Sequence, residues 1–533
     1  MHAVSESDSE QFTLDNSYAV DIRPGKIIPL PPKLRRQFYP PIMLLEALSR
    51  RSVLQKRTHD DTSSRGDEYD PQHIFQNFVN RLALICHVEP NGDAVSSCVV
   101  LDELDRVVYV FASNHRSNAQ LTTVTQAIRQ ILEMVPSRET SKEEYSELHG
   151  KMLRRVLALC WCRVRHYLRG LVQQLQLCID SCQRNHTAHD QALGTALGRL
   201  DSLVRLAADE AEAAKPKHSE DREPFTLATE VVIAELEELY KDSYLFSSIR
   251  RRVAREHKQL NGVYWTELCH ISDRLKAYKA AVDAIFVARD NWPELFDNFE
   301  VRFIPSPNRG PNSLTPEPKT SDQLIRVTTS NEELPRLRRQ LAELQQKHNI
   351  DEIIACEWRK GVRPTVHAEV QIHSWLESSP RGTRSERFFG KYKFIGSSKP
   401  TCKLCSYYFD NATDVKVRPS HRNLYVHWRL PDLYDYELET GEARRKDLIH
   451  KIKKRVVSDI ERTIREKLAD GRNHDSTDHR VRDVGSLLNA SIADTLSLTM
   501  DNLSIVGEVD DAADSVETIT FQGRGRLTEP RRP

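Results

Sequence analysis

Two short blocks constrain the fold of this chain more than any others. They are His367-Ala368-Glu369 and, about 33 residues on, Lys399-Pro400-Thr401-Cys402-Lys403-Leu404-Cys405. One imidazole and two thiols can hold a zinc ion and leave its fourth position open to water. A carboxylate two residues after the imidazole can move protons to and from that water. The chain must therefore fold so that the two blocks stand side by side. Each block opens with helix-start chemistry: Arg363-Pro364-Thr365-Val366 leads into His367, and Lys399-Pro400-Thr401 leads into Cys402. Cys402 and Cys405 are three residues apart, so both sulfurs fall on one side of a helix. Two helix N-termini aimed at one point favour thiolate over thiol. A closed structural site needs a fourth Cys or His. His373 lies six residues after His367, in poor registry on a straight helix, and is not counted as a ligand.

The texture around these blocks alternates. The sequence predicts strands at 353–358 and 392–396, strand-like pieces at 415–417 and 424–428, helices at 367–376 and 402–409, and a long charged helix over 441–468. That order implies a sheet covered by helices. Far upstream, a helix over 71–86 carries Ile74, Phe75, Phe78, Leu82 and Ile85 on one face. A hairpin follows, with strands at 94–101 and 106–112, a turn at Asp102-Glu103-Leu104-Asp105, and an end at Ser113-Asn114. Between the hairpin and the first block the pattern is helical, clearest over 121–135, 144–183, 189–214, 224–242 and 264–288. A Pro/Ser/Asn linker spans 304–322, and a charged amphipathic helix spans 331–348. The resulting division is a disordered or linker region at 1–70, helix and hairpin at 71–118, a helical insertion or domain at 119–348, a zinc-site core with its C-terminal helix at 349–469, and a mostly disordered tail at 470–533. The first of these contains a proline-rich piece, Pro29-Leu30-Pro31-Pro32, and an amphipathic run over 42–54; the last contains an amphipathic stretch over 484–500.

Charge narrows the function classes only a little. The 77 Lys plus Arg residues match 77 Asp plus Glu, which gives no global argument for nucleic-acid or membrane binding and leaves room for a local basic surface. The basic run at 444–455 reads as a solvated helical face. The acidic, polar start is unlike a secretory signal, and no apolar run reaches the length of a membrane span. This points to an intracellular, reducing compartment, cytoplasmic or nuclear, where Cys-x-x-Cys is a metal or redox pair. Cys160/Cys162 and Cys178/Cys182 lie in apolar helical runs and read as buried thiols. No phosphate-cradling glycine loop or Ser/His/Asp arrangement stands out.

At His367-Ala368-Glu369 and Cys402-Lys403-Leu404-Cys405 the chain resembles the cytidine deaminase-like superfamily, whose pattern is His-x-Glu followed by Pro-Cys-x-x-Cys. More narrowly, it resembles the fungal-expanded, OTT-type nucleic-acid deaminase-like family. That likeness also rests on Phe394-Ile395-Gly396-Ser397-Ser398, Ser406-Tyr407-Tyr408 and the stretch from Leu424 to Pro431, including Trp428. The resemblance implies a three-layer α/β/α cytidine deaminase-like domain, here with a large all-helical insertion and disordered termini. It implies zinc ligands His367, Cys402 and Cys405, and Glu369 as proton shuttle. The expected activity is zinc-dependent hydrolytic deamination of cytosine or adenine in a nucleoside, nucleotide or nucleic acid, single-stranded nucleic acid included. The runner-up is a catalytically inactive zinc-binding module acting as an interaction scaffold. The retained Glu369 favours the enzyme, because a purely structural site needs no proton shuttle. One departure is Thr401, which separates Pro400 from Cys402.

The hairpin resembles the first two strands of such a domain, where an asparagine at the end of the second strand helps hold the nucleoside sugar; here that residue is Asn114. The reading is one sheet interrupted by a helical insertion, against a separate N-terminal domain. His421 and Trp428 are further substrate-binding candidates, set against core packing for Trp428 and a solvated His421.

Overall fold

The computed structural model describes residues 18–21, 25–50, 53–56, 70–86, 88–89, 94–136, 141–184, 187–214, 222–256, 263–329 and 332–471. The expectations of disorder at the two ends, and the amphipathic stretch at 484–500, fall largely or wholly outside these residues.

Alternating β-branched and aromatic residues build a hairpin from β1 (Ser96–Glu103) and β2 (Arg106–Ser113), paired antiparallel along their whole length. β3 (Phe299–Phe303) lies parallel to β2. On the other side, β4 (Phe394–Ser397) pairs antiparallel with β1, with Ser397 opposite Ser97, and β5 (Lys416–Val417) pairs parallel with β4. The sheet order is β3-β2-β1-β4-β5. The hairpin and the strand that leads to Cys402 thus share one sheet, although about 280 residues separate β2 from β4.

Strand periodicity splits the hairpin between two cores. Cys98, Val100, Val107, Tyr109 and Phe111 face one way. They pack with Phe75, Phe78 and Leu82 of α1 (Pro71–Ile85) and with the long helices of the insertion. Those helices are Asn118–Glu133, Lys142–Leu159, Trp161–Gln183, Ala188–Ala213, Glu223–Lys241, Ser243–Glu256 and Tyr264–Asn291. Val99, Leu101, Val108, Val110 and Ala112 face the other way, toward α2 (Ala368–Ser378), α3 (Lys403–Ala412) and α4 (Leu438–Glu466). The fold is mixed α/β, with helices on both faces of the sheet. Gly396 of β4 sits where α1 comes closest: a Cβ there would lie 2.8 Å from the Val79 backbone.

Several expectations are corrected. Residues 353–358 are helical, within Ile350–Lys360: Ile350, Ile354 and Trp358 are buried at a spacing of four, and Gly361 at φ 73° follows the last turn. The region 1–70 contains a 17-residue helix, Pro32–Leu48, packed into the second core through Phe38, Tyr39, Ile42, Met43, Leu44 and Leu45. Pro40 and Pro41 lie inside it and break the local helical pattern, but burial overrides the propensity. The helix expected over 144–183 divides at Cys160. Residues 424–428 form no strand; Trp428 makes a single bridge to Thr365.

Candidate metal centre

His367 is the N-cap of α2 and makes no side-chain capping bond to that helix. The cap comes from the end of β2 instead. Asn114 Oδ1 accepts a hydrogen bond from the Ala368 amide at 2.8 Å, and the Asn114 carbonyl accepts from Thr365 Oγ1 at 3.3 Å. Gln371 Nε2 donates to the Ser113 carbonyl at 3.1 Å and to the Val366 carbonyl at 2.9 Å. The end of the hairpin thus orients the helix that carries His367 and Glu369. Asn114 is buried, and its side-chain oxygen is engaged in this capping.

Cys402 caps α3, its sulfur accepting from the Cys405 amide at 3.4 Å. Thr401, the residue that departs from the superfamily pattern, is absorbed by a backbone bridge: its amide donates to the Pro419 carbonyl and its carbonyl accepts from the His421 amide at 3.0 Å. Lys403, buried, anchors the same turn from below. Its Nζ reaches Asp459 of α4 at 3.0 Å and Asp470 at 2.9 Å, and both acids also pair with Arg462.

These supports bring three donors together. His367 Nδ1 lies 3.5 Å from Cys402 Sγ and 3.4 Å from Cys405 Sγ, and all three atoms fall within 4.8 Å of one another. Ordinary zinc–nitrogen and zinc–sulfur bonds at a tetrahedral angle would set nitrogen and sulfur about 3.6 Å apart. The separations fit a single metal ion. His373 is not part of the group: its Nδ1 meets the Tyr408 hydroxyl at 2.8 Å, and burial lowers its pKa to about 3.

Glu369, in the first turn of α2, is only 3% exposed. Its Oε2 is buried without a hydrogen-bond partner, an orphaned acceptor of the kind that a bound group explains. Burial pushes the carboxyl up, partly offset by His367. Loss of water around the His367 ring works against its charged form, but Cys402 and Glu369 outweigh this and raise it. Burial opposes charge on both thiols as well. The hydrogen bonds from Cys405 and the imidazole hold Cys402 well below the ordinary thiol range, and Cys405, beside that sulfur, is pushed well above it. A cation among the three donors would favour both as thiolates.

Trp428 does not face an open pocket. It is completely buried behind Cys405, and its indole N–H donates to Cys405 Sγ at 3.1 Å. His421 is buried rather than solvated, its Nδ1 accepting from the Asn423 amide at 2.9 Å. The aromatic that does reach the surface is Tyr425. It is 37% exposed, with its ring 6.3 Å from that of His367 and 5.8 Å from that of His421. Tyr425 lies within the family-like stretch from Leu424 to Pro431 but was not among the candidate site residues. Its signal was an aromatic residue in a loop segment that also carries His421, Arg422 and His427.

A His-x-Glu block and a Cys-x-x-Cys block, each at a helix start and both beside one sheet, define a deaminase-like domain. Residues 366–432 match the family model described as OTT_1508-like deaminase, a stretch that contains all three donors, Glu369, Tyr425 and Trp428. No curated protein and no solved structure matches the chain. Among the described residues, no helix is long and apolar enough to cross a membrane.

Proposed function

We propose that the protein is a zinc-dependent hydrolytic deaminase acting on cytosine or adenine carried in a nucleoside, nucleotide or single-stranded nucleic acid, in a reducing intracellular compartment. The observation that carries this reading is the buried, unpartnered oxygen of Glu369 beside three metal-competent donors. His367, Cys402 and Cys405 would hold the zinc ion, which when bound supplies a polarised water at its open position. Glu369 takes a proton from the attacking water and passes it to the ring nitrogen of the base. The carboxylate then takes the remaining proton from the newly attached hydroxyl and delivers it to the departing amine, so that the C–N bond breaks, the carbonyl forms and ammonia leaves. The raised carboxyl suits a group that must both accept and return a proton near neutrality. Tyr425 offers an aromatic face on which a base can stack. Asn114 acts by fixing the helix that presents Glu369.

The test is metal analysis of the purified protein together with ammonia release from a panel of bases, nucleosides, nucleotides and single-stranded oligonucleotides. Activity in the wild type and its loss in Glu369→Ala, with zinc retained, is the expected result. Wild type and variant equally silent on the whole panel, both holding zinc, would leave the inactive scaffold reading in its place.

A further inference from the structure

We propose that Trp428 is a positioning residue of the metal centre: its indole N–H is a fixed donor to the Cys405 sulfur, and the helix Pro32–Leu48 holds it in place. The inference rests on the metal-site reading above. An indole nitrogen can donate but not accept, so the 3.1 Å contact with Cys405 Sγ has only one polarity. Both residues are completely buried, where a hydrogen bond to an ionised sulfur is stronger than one to a neutral thiol. The contact therefore aims a fixed donor at a sulfur lone pair of Cys405. It also withdraws electron density from the sulfur, so that a bound ion keeps more of its positive charge for the water at the open position.

The segment His427-Trp428-Arg429 joins the two blocks of the site. Thr365, two residues before His367, donates from its amide to the His427 carbonyl at 2.6 Å and accepts at its carbonyl from the Arg429 amide at 3.0 Å. The residues on either side of Trp428 thus hold the histidine block through their main chains, while the Trp428 side chain reaches the cysteine block. Its own position is set by the helix Pro32–Leu48. The hydroxyl of Tyr39, itself 2% exposed, donates to the Trp428 carbonyl at 3.3 Å, and the Phe38 ring lies 6.1 Å from the indole. The Tyr408 ring, 6.4 Å away, closes another side. The N-terminal helix, although remote in sequence from the ligands, is thereby part of the support of the metal centre.

The experiment replaces zinc with cobalt(II), whose thiolate-to-metal charge-transfer band reports the energy of the sulfur lone pair. Three proteins are compared with wild type: Trp428→Phe, the full chain with 3-benzothienylalanine at position 428 (which keeps the bicyclic shape without the N–H), and Tyr39→Phe. Loss of the N–H raises the sulfur donor level, so the band moves to longer wavelength in the first two, with zinc held roughly tenfold less tightly in a chelator competition. Tyr39→Phe gives a smaller shift in the same direction. The benzothienyl protein keeps the test decisive if Trp428→Phe folds poorly. Wild-type protein that shows thiolate bands, with bands unmoved and zinc affinity unchanged in both position-428 proteins, overturns this inference and leaves the metal site standing. Wild-type protein that takes up neither ion overturns the metal site and this inference together.

Discussion

On the helical side of the sheet, Cys86, Cys98, Cys160, Cys178 and Cys182 are buried among aliphatic and aromatic side chains, and burial pushes every one of these thiols up, Cys160 to about 12. On the opposite side Cys402 is buried to the same degree, yet its thiol is held well down. Burial alone does not separate the two groups. The difference is a local donor set: an amide from the same helix turn and an imidazole at 3.5 Å, where the helical side offers mostly hydrocarbon. The same contrast runs through α2. Glu369, Gln371 and His373 each keep a buried side-chain atom without a partner, on the helix that starts the site. A core that only had to be stable would not carry three such atoms on one short helix. Both layers have extensive apolar cores, but the layer with α2 adds buried polar groups that favour chemistry over packing.

The sharpest way to break this comparison is to make the same substitution on each side. Cys405→Ser should abolish metal binding, a loss larger than the roughly 10–100-fold effects of outer-shell changes, with the fold retained in the helical layer. Cys178→Ser should leave metal uptake untouched and lower stability by about 1–3 kcal/mol, the cost of a buried hydroxyl without a partner. Metal analysis and thermal melts of both proteins check this. Equal metal loss in the two would end the distinction. Glu369→Gln comes next: deamination should fall roughly 10²–10⁴-fold while zinc content stays at the wild-type level.

The comparison also shows what could be read from the chain. His367, Glu369, Cys402 and Cys405 were legible because ligand type and helix-start chemistry are local. The hairpin was legible because Val99, Val100, Val107 and Val108 alternate between two buried faces. β3 was missed because its partner β2 lies about 190 residues earlier and its own five residues run directly into a proline-rich stretch. The helix Pro32–Leu48 was hidden by Pro40 and Pro41, whose local cost is outweighed only by tertiary burial. Trp428 was legible as either a substrate-binding or a core aromatic; its burial fits the core alternative, and its bond to Cys405 was not legible because it depends on contacts outside its own segment.

His373 sharpens the comparison through pH. In the folded state burial, then the nearby Arg444 charge, lowers its pKa from 6.5 to about 3, so the ring stays neutral. Unfolded, it takes up a proton below about pH 6.5. Between those two values the unfolded state binds more protons, and stability rises with pH. The contribution is therefore intact above about pH 6.5 and is lost as pH falls toward 3, amounting to about 2 kcal/mol at pH 5. His373→Phe should flatten this part of the acid limb in urea melts taken from pH 7 to pH 5. An unchanged slope would mean that the polar groups of α2 do not limit stability on this side of the sheet.

The smallest expected effect tests how the hairpin serves the site. Asn114→Ala removes the acceptor that caps α2 at the Ala368 amide. Loss of a capping side chain costs about 1 kcal/mol. Because the capped turn also carries His367 and Glu369, the same variant should bind zinc more weakly and turn over more slowly than the stability loss alone explains. Asn114→Asp keeps the acceptor oxygen and should restore the helix cap, and with it most of the stability and the metal affinity. If Asn114→Ala lowered only the melting temperature, with zinc affinity and turnover intact, the end of β2 would be a support for the fold and not for the orientation of the site.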